Sequence, residues 1–199
     1  TVCGEVLEQI VDGLYEYDYF SDISRIKTAL AESMPVITDG GKTWTIKLKK
    51  GIKFQDDPSF KATNGKGREV LASDYIYAWK RHANPANESQ GFWIFDQKVL
   101  GINAFQAKFS ASKDAETIMK EKVEGFEEVN PYTIKIRLNK PFPQLLYLLA
   151  SHFVAPIPHE AVAYYGRDLV SHPVGTGAFR AVSWSPADKV LLVRNENFR

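Results

Sequence analysis

After the turn Asp39-Gly40-Gly41, Trp44, Ile46 and Leu48 alternate with Thr45, Lys47 and Lys49. A strict period of two is the pattern of a half-buried β-strand, since successive side chains point to opposite faces. The basic run Lys47–Lys53 (KLKKGIK) is then the wet side of that strand and not a nucleic-acid patch. Other segments carry the helical period. Glu5–Asp12 places Val6, Leu7, Ile10 and Val11 at helical spacing ahead of Leu14, and Gly13 is a natural stop. Ser73 and Asp74 can cap a helix bearing Ile76, Tyr77, Trp79 and Lys80. Asn130-Pro131 divides Val123–Phe126 from Thr133–Leu138 as a hairpin, with helices expected at 144–150 and 159–165, the second ended by Gly166. A last hairpin runs 179–184 and 190–194 around Ser185-Pro186-Ala187-Asp188, and Pro58–Arg68 reads as a surface loop. Such a mixture requires a mixed α/β (α+β) fold with hairpins and flanking helices.

Composition narrows the function classes. The chain has 199 residues, enough for a sizeable core, with 44% hydrophobic and 25% charged residues. A net charge of +1 gives no electrostatic case for nucleic acid. The single Cys3 makes neither an internal disulfide nor a cysteine-based metal cluster. The apolar run Leu145–Ala150 is far shorter than the roughly 20 residues of a membrane span. Thr1-Val2-Cys3-Gly4 is neither an initiator methionine nor a signal peptide, and Arg194–Arg199 follows directly on a strand-like run, so both ends read as cuts. On that reading the strand Val190–Arg194 pairs within the chain, while Phe198-Arg199 points towards absent structure.

Catalytic motifs are missing. His82, His152, His159 and His172 show no metal-ligand spacing, no serine sits in a GxSxG elbow, and Cys3 lacks a cysteine-protease context. Gly175-Thr176-Gly177 precedes a strand-like run and not a helix, which argues against a phosphate cradle. Asp56-Asp57 reads as a solvated acidic pair. Dispersed carboxylates of a hydrolase, or a sheet edge that docks a protein partner, stay open at this level.

His172-Pro173-Val174-Gly175-Thr176-Gly177-Ala178-Phe179 resembles the hPVGTGPY signature of the family 5 bacterial extracellular solute-binding proteins, the oligopeptide- and dipeptide-binding group. Gln9–Tyr15 is similar to the family's EGLY segment, and Leu48–Phe54 to its LrkGvkF segment. Ala72–Tyr75, Val129–Pro143 and Val190–Phe198 also match in order. Gln55-Asp56-Asp57 replaces the family's HDG, and a longer Gly- and Lys-rich loop follows it. The resemblance implies the N-terminal lobe of a two-lobed periplasmic-binding-protein fold (class C, type II-like) with the second lobe absent. Residues 1–40 and 172–199 would border the cleft, and 41–171 would form an inserted subdomain. It implies no enzyme, no cofactor and no metal. The expected partners are a peptide or other small solute (a nickel chelate, sugar or opine in some relatives) and the membrane permease of an ABC importer. A monomer is expected, in a periplasmic or extracytoplasmic setting. The expected ligand-binding residues are Cys3, Gly4, Phe92, Trp93, Gly175, Thr176, Gly177, Ala178 and Phe179. The two glycines would supply either turn conformations or close approach to ligand, and Phe92-Trp93 would flank the cleft or join the core.

Overall fold

A computed structural model describes residues 2–21, 25–112, 114–185 and 189–199, with side chains in the first helix described from Gly4. Helix α1 spans Val2–Ile10, shorter at its C-terminus than the periodicity suggested. Gly13 lies past its end with a different task. A Cβ there would stand 2.9 Å from the Leu149 carbonyl oxygen and 3.0 Å from that of Tyr15. The same Leu149 carbonyl accepts from the amides of Leu14 and Tyr15, so the glycine admits a neighbouring segment and does not cap the helix. Two short antiparallel strands follow, β1 (Tyr15–Tyr17) and β2 (Ile26–Thr28), each too brief to show a period in sequence.

The central sheet is antiparallel. Strand β3 (Val36–Thr38) pairs with β4 (Thr43–Lys47), and β5 (Phe126–Asn130) pairs with β6 (Thr133–Arg137), in the order β3-β4-β6-β5. The turn between β3 and β4 needs Gly40, whose φ is +62°, a left-handed value that glycine adopts at little cost. Trp44 faces Ile136 and Ile46 faces Ile134 across the β4–β6 pair, and all four are buried, as the alternation required. Helix α2 (Ala72–His82) supplies Trp79 to this layer. Its ring lies 5.2 Å from Phe126 and 5.8 Å from Phe95, and its indole N–H donates to the Val154 carbonyl at 3.0 Å.

The start of α2 differs from the expected Ser73 cap. The helix begins at Ala72, and Asp74 in its first turn accepts from the Leu71 amide at 2.9 Å. Arg68 holds Asp74 with two bonds of 2.8 and 2.7 Å and Glu160 with two of 2.6 and 2.8 Å. Glu160 belongs to helix α6 (His159–Tyr165), reached after α3 (Ile102–Ala111), α4 (Ala115–Lys120) and α5 (Leu145–Leu148). The 58–68 loop is exposed at its tip but anchored by buried Phe60, stacked 5.9 Å from Phe54, and by Gly67.

Strands β7 (Phe179–Ser185) and β8 (Lys189–Arg194) form the last hairpin; its connecting residues 186–188 lie outside the described residues. The chain then turns back on itself. Arg199 donates to the Ala29 carbonyl at 2.8 Å and lies 3.6 Å from Asp12, so the expectation that it points away is corrected. The guanidinium finds a carbonyl and a carboxylate within its own chain. One hydrophobic cluster extends from Leu14 through the sheet to Val174 and joins residues of both expected parts.

Candidate functional site

The signature segment packs on α1. The Gly177 amide donates to the Ile10 carbonyl at 2.8 Å. A Cβ on Gly175 would fall 2.1 Å from the Ile10 oxygen, and one on Gly177 would fall 2.5 Å from the Gln9 oxygen. Neither glycine has a positive φ. Turn conformation therefore does not explain them; backbone-to-backbone contact with the helix end does.

The remaining polar groups of this segment are tied down in turn. Gln55 donates its backbone amide to the Gly175 carbonyl at 2.9 Å and its side-chain amide to that of Pro173 at 3.3 Å, and its side-chain oxygen accepts from the Gly175 amide at 3.3 Å. Asn195 donates to this segment twice, to the Ala178 and Gly177 carbonyls at 2.9 and 2.8 Å. The Thr176 hydroxyl donates to Asp12 at 3.3 Å. Burial pushes the Asp12 carboxyl up from its ordinary value, opposed by the nearby Arg199 guanidinium and the Thr176 hydrogen bond. Val174 to Gly177 are buried, and of the expected signature residues only Ala178 and Phe179 keep appreciable free surface. The segment is a hydrogen-bonded floor.

A second set of residues reaches the same helix through Glu8. A Cβ on Gly91 would lie 2.7 Å from the His82 ring and 2.9 Å from the Phe153 ring, which fixes the Ser89–Trp93 segment against residues 152–154. His82 Nε2 meets the Phe153 carbonyl at 2.7 Å, and Nδ1 meets the Ser89 hydroxyl. With Nε2–H donating to the carbonyl, Nδ1 accepts from Ser89, whose oxygen accepts in turn from the Gly91 amide at 3.1 Å. A carbonyl stands where a catalytic triad would place a carboxylate, and burial lowers the His82 pKa, so the imidazole is held neutral as a structural tie. Of the expected aromatic pair, Phe92 packs against the core while Trp93 is 52% exposed.

Phe153 stacks 4.3 Å from His152, whose Nδ1 lies 3.6 Å from the Glu8 carboxylate on α1. Tyr17 and Tyr147 face one another at 6.4 Å, each partly exposed. Helix α1 thus links the signature segment through its C-terminal carbonyls and residues 152–153 through Glu8. Gly4 lies half-buried on this helix; the Cys3 side chain lies outside the described residues. The sequence offers no signal for the Glu8–His152 and Tyr17–Tyr147 pairs, since nothing local marks an exposed tyrosine or a lone histidine as having a distant partner. No group of three or more His, Cys, Asp or Glu side chains among the described residues could hold a metal ion. No helix among them is long and apolar enough to cross a membrane.

Comparison with known proteins gives a consistent answer. Two curated relatives named glutathione-binding protein GsiB, from Escherichia coli O157:H7 and Salmonella choleraesuis (strain SC-B67), are each 30% identical over 192 residues. The match covers 96% of this chain and 30% of each relative, so the chain spans less than a third of their length. The solved structure of pheromone receptor PrgZ, described by its mode of peptide binding, superposes with a TM-score of 0.77 at 23% identity, over 99% of this chain and 36% of its own. Listeria monocytogenes OppA bound to peptide gives 0.76 at 24% identity, over 99% and 35%. These likenesses show a shared fold, the mixed α/β lobe of substrate-binding proteins. Residues 25–199 match the model described as bacterial extracellular solute-binding proteins, family 5 Middle. With 175 of 199 residues inside that match, the chain belongs to the family 5 bacterial extracellular solute-binding proteins.

Proposed function

We propose that this chain is the peptide-facing part of the solute-binding component of an ABC importer, acting outside the cytoplasm as a monomer that delivers its ligand to a membrane permease. The observation that carries the reading is the face around α1. There Glu8 reaches His152, and the partly exposed Tyr17–Tyr147 pair and Trp93 leave aromatic surface free on neighbouring stretches of chain. Such a surface suits a peptide. Aromatic faces accept side chains of many shapes, a carboxylate and an imidazole offer partners for polar ends, and a rigid floor costs little reorganisation on binding. The names of the relatives and the titles of the similar structures point the same way, with glutathione or a short oligopeptide as ligand.

Residues 1–40 and 172–199 would border the cleft, and 41–171 would form the subdomain behind it. Ala178 and Phe179 would contact ligand directly, with Gly175, Thr176 and Gly177 acting beneath them. The test is a tryptophan-fluorescence and calorimetric titration of the full-length protein containing these residues, with glutathione and tri-alanine as probes. Saturable binding weakened at least about tenfold by W93A supports the proposal. Failure of both peptides, or binding unchanged in W93A and Y147A, would overturn it.

A further inference from the structure

The Gly- and Lys-rich loop at 58–68 helps to build a cavity of its own, which Glu8, Tyr17, Trp93, Tyr147 and His152 do not line. This cavity, of about 640 Å³, lies between the loop and the base of the β7–β8 hairpin, lined by Asp56, Lys61, Asn64, Arg180, Glu196 and Asn197 among others. Its charged groups fall into two sets. Asp56 is saturated: it accepts from Lys66 at 2.7 Å, from the Gly67 amide at 2.9 Å and from Asn197 at 2.8 Å. Neighbouring Asp57 accepts from the Ser59 amide at 2.9 Å and the Tyr165 hydroxyl at 3.1 Å. Asn197 also donates to the Phe54 carbonyl at 2.9 Å, which fixes the wall. What remains is a different set. Among the described residues, the side chains of Arg180, Glu196 and Asn64 make no ion pair or hydrogen bond, and Lys61 only lies 5.5 Å over the Tyr164 ring.

Two cations, a carboxylate and a carboxamide therefore line one cavity without neutralising one another. We propose that this cavity is a second ligand site, for a small zwitterion of the free amino-acid class. Arg180, with Lys61, takes the ligand carboxylate, since a guanidinium offers a planar fork of donors matched to two oxygens. Glu196 takes the ammonium group, and Asn64 supplies an amide beside it. The volume falls within the roughly 300–1,000 Å³ of small-molecule pockets. The cavity is open and its charges are hydrated, so affinity is modest, with a dissociation constant of about a millimolar.

Amide NMR titration of the chain tests this, with glycine, glutamate, acetate and methylamine as probes. Glycine and glutamate are expected to shift the amides of Asn64, Gly65, Arg180 and Glu196 saturably. Acetate and methylamine, each carrying half of the zwitterion, should bind at least about tenfold more weakly. R180A should abolish the shifts, and E196Q should erase the preference of glycine over acetate. Both positions sit at the surface of the cavity, and unchanged spectra elsewhere would verify folding. No saturable shift with glycine or glutamate, shifts that persist in R180A, or acetate binding as tightly as glycine would each overturn the assignment. The Trp93 indole signal reports separately on the face around α1, so failure here leaves the peptide proposal standing.

Discussion

The backbone of Gly175 passes so close to Ile10 that a methyl group on Gly175 would sit 2.1 Å from the Ile10 carbonyl oxygen. The contact joins residues far apart in sequence and fixes where the signature segment lies on α1. Both partners are main chain, so neither can rotate away.

Substitution there is expected to be costly. G175A and G177A should each destabilise the chain by about 1–3 kcal/mol or more, the ordinary penalty of overpacking. G175A should be the worse of the two because its clash is deeper. Gly40, with nothing within 4 Å of its Cβ site but a φ of +62°, should show only a strain penalty of about 1 kcal/mol on G40A. Urea unfolding midpoints measure all three, and a harmless G175A would contradict the packing described.

Removal of Arg68 leaves Asp74, whose side chain is 4% exposed, without its counter-charge and detaches Glu160. R68A is expected to cost about 3 kcal/mol, the penalty of an uncompensated buried charge. R68K should recover only part of this, because an ammonium cannot reproduce the two-pronged bonds to both carboxylates. Equal stability of R68A and wild type in chemical denaturation would show that the three-residue network is solvated and weak.

His82 makes stability depend on pH. Burial lowers its pKa in the folded state from 6.5, more than the Phe153 carbonyl raises it, with Arg81 adding to the depression. The unfolded chain then binds protons that the folded chain refuses. Stability from this group is complete above pH 6.5 and falls as pH drops through that value towards the folded pKa. Wild type should thus lose unfolding free energy between pH 7.5 and 5.5, and H82Q should lose less. Parallel slopes for the two proteins would rule out His82 as the source. Asp56, pulled down to about 2 by Lys66 and the Gly67 amide, acts lower, with stability lost as pH falls from 3.8 towards 2.

Affinity should depend on the rest of the protein. The chain spans 30% of its curated relatives, and on the proposed two-lobed reading closure would bury a ligand that one lobe leaves exposed to solvent and salt. This chain alone is expected to bind glutathione or tri-alanine at least about a thousandfold more weakly than the full-length protein, a loss of several kcal/mol. Calorimetry on both with the same peptide decides it. Equal affinities would place the whole site within these residues.

Sequence alone determined the local elements and the family. The alternation at Trp44–Leu48, the turn at Asn130-Pro131, the β7–β8 pairing and helices α2 and α6 were legible because their signals span consecutive residues. The strand before Pro131, however, lies at Phe126–Asn130 and not at the expected 123–126. Strands β1 and β2, three residues each, were too short to show a period. Helices α3 and α4 bury only Ile102, Phe105 and Ile118, too few apolar positions to show a helical period in the sequence.

The site was decided by tertiary structure. Gly175 and Gly177 were visible as unusual residues, but what they approach is a helix end more than 160 residues earlier. Thr176 stood out within the signature and Gln55 as a departure from it, but their structural roles come from partners 118 to 164 residues away. Trp93 and Phe92 are adjacent in sequence and differ in exposure only because one faces the core. Periodicity records which side of an element is buried. It does not record which distant backbone comes to lie against it, and that contact is settled only when the whole core packs.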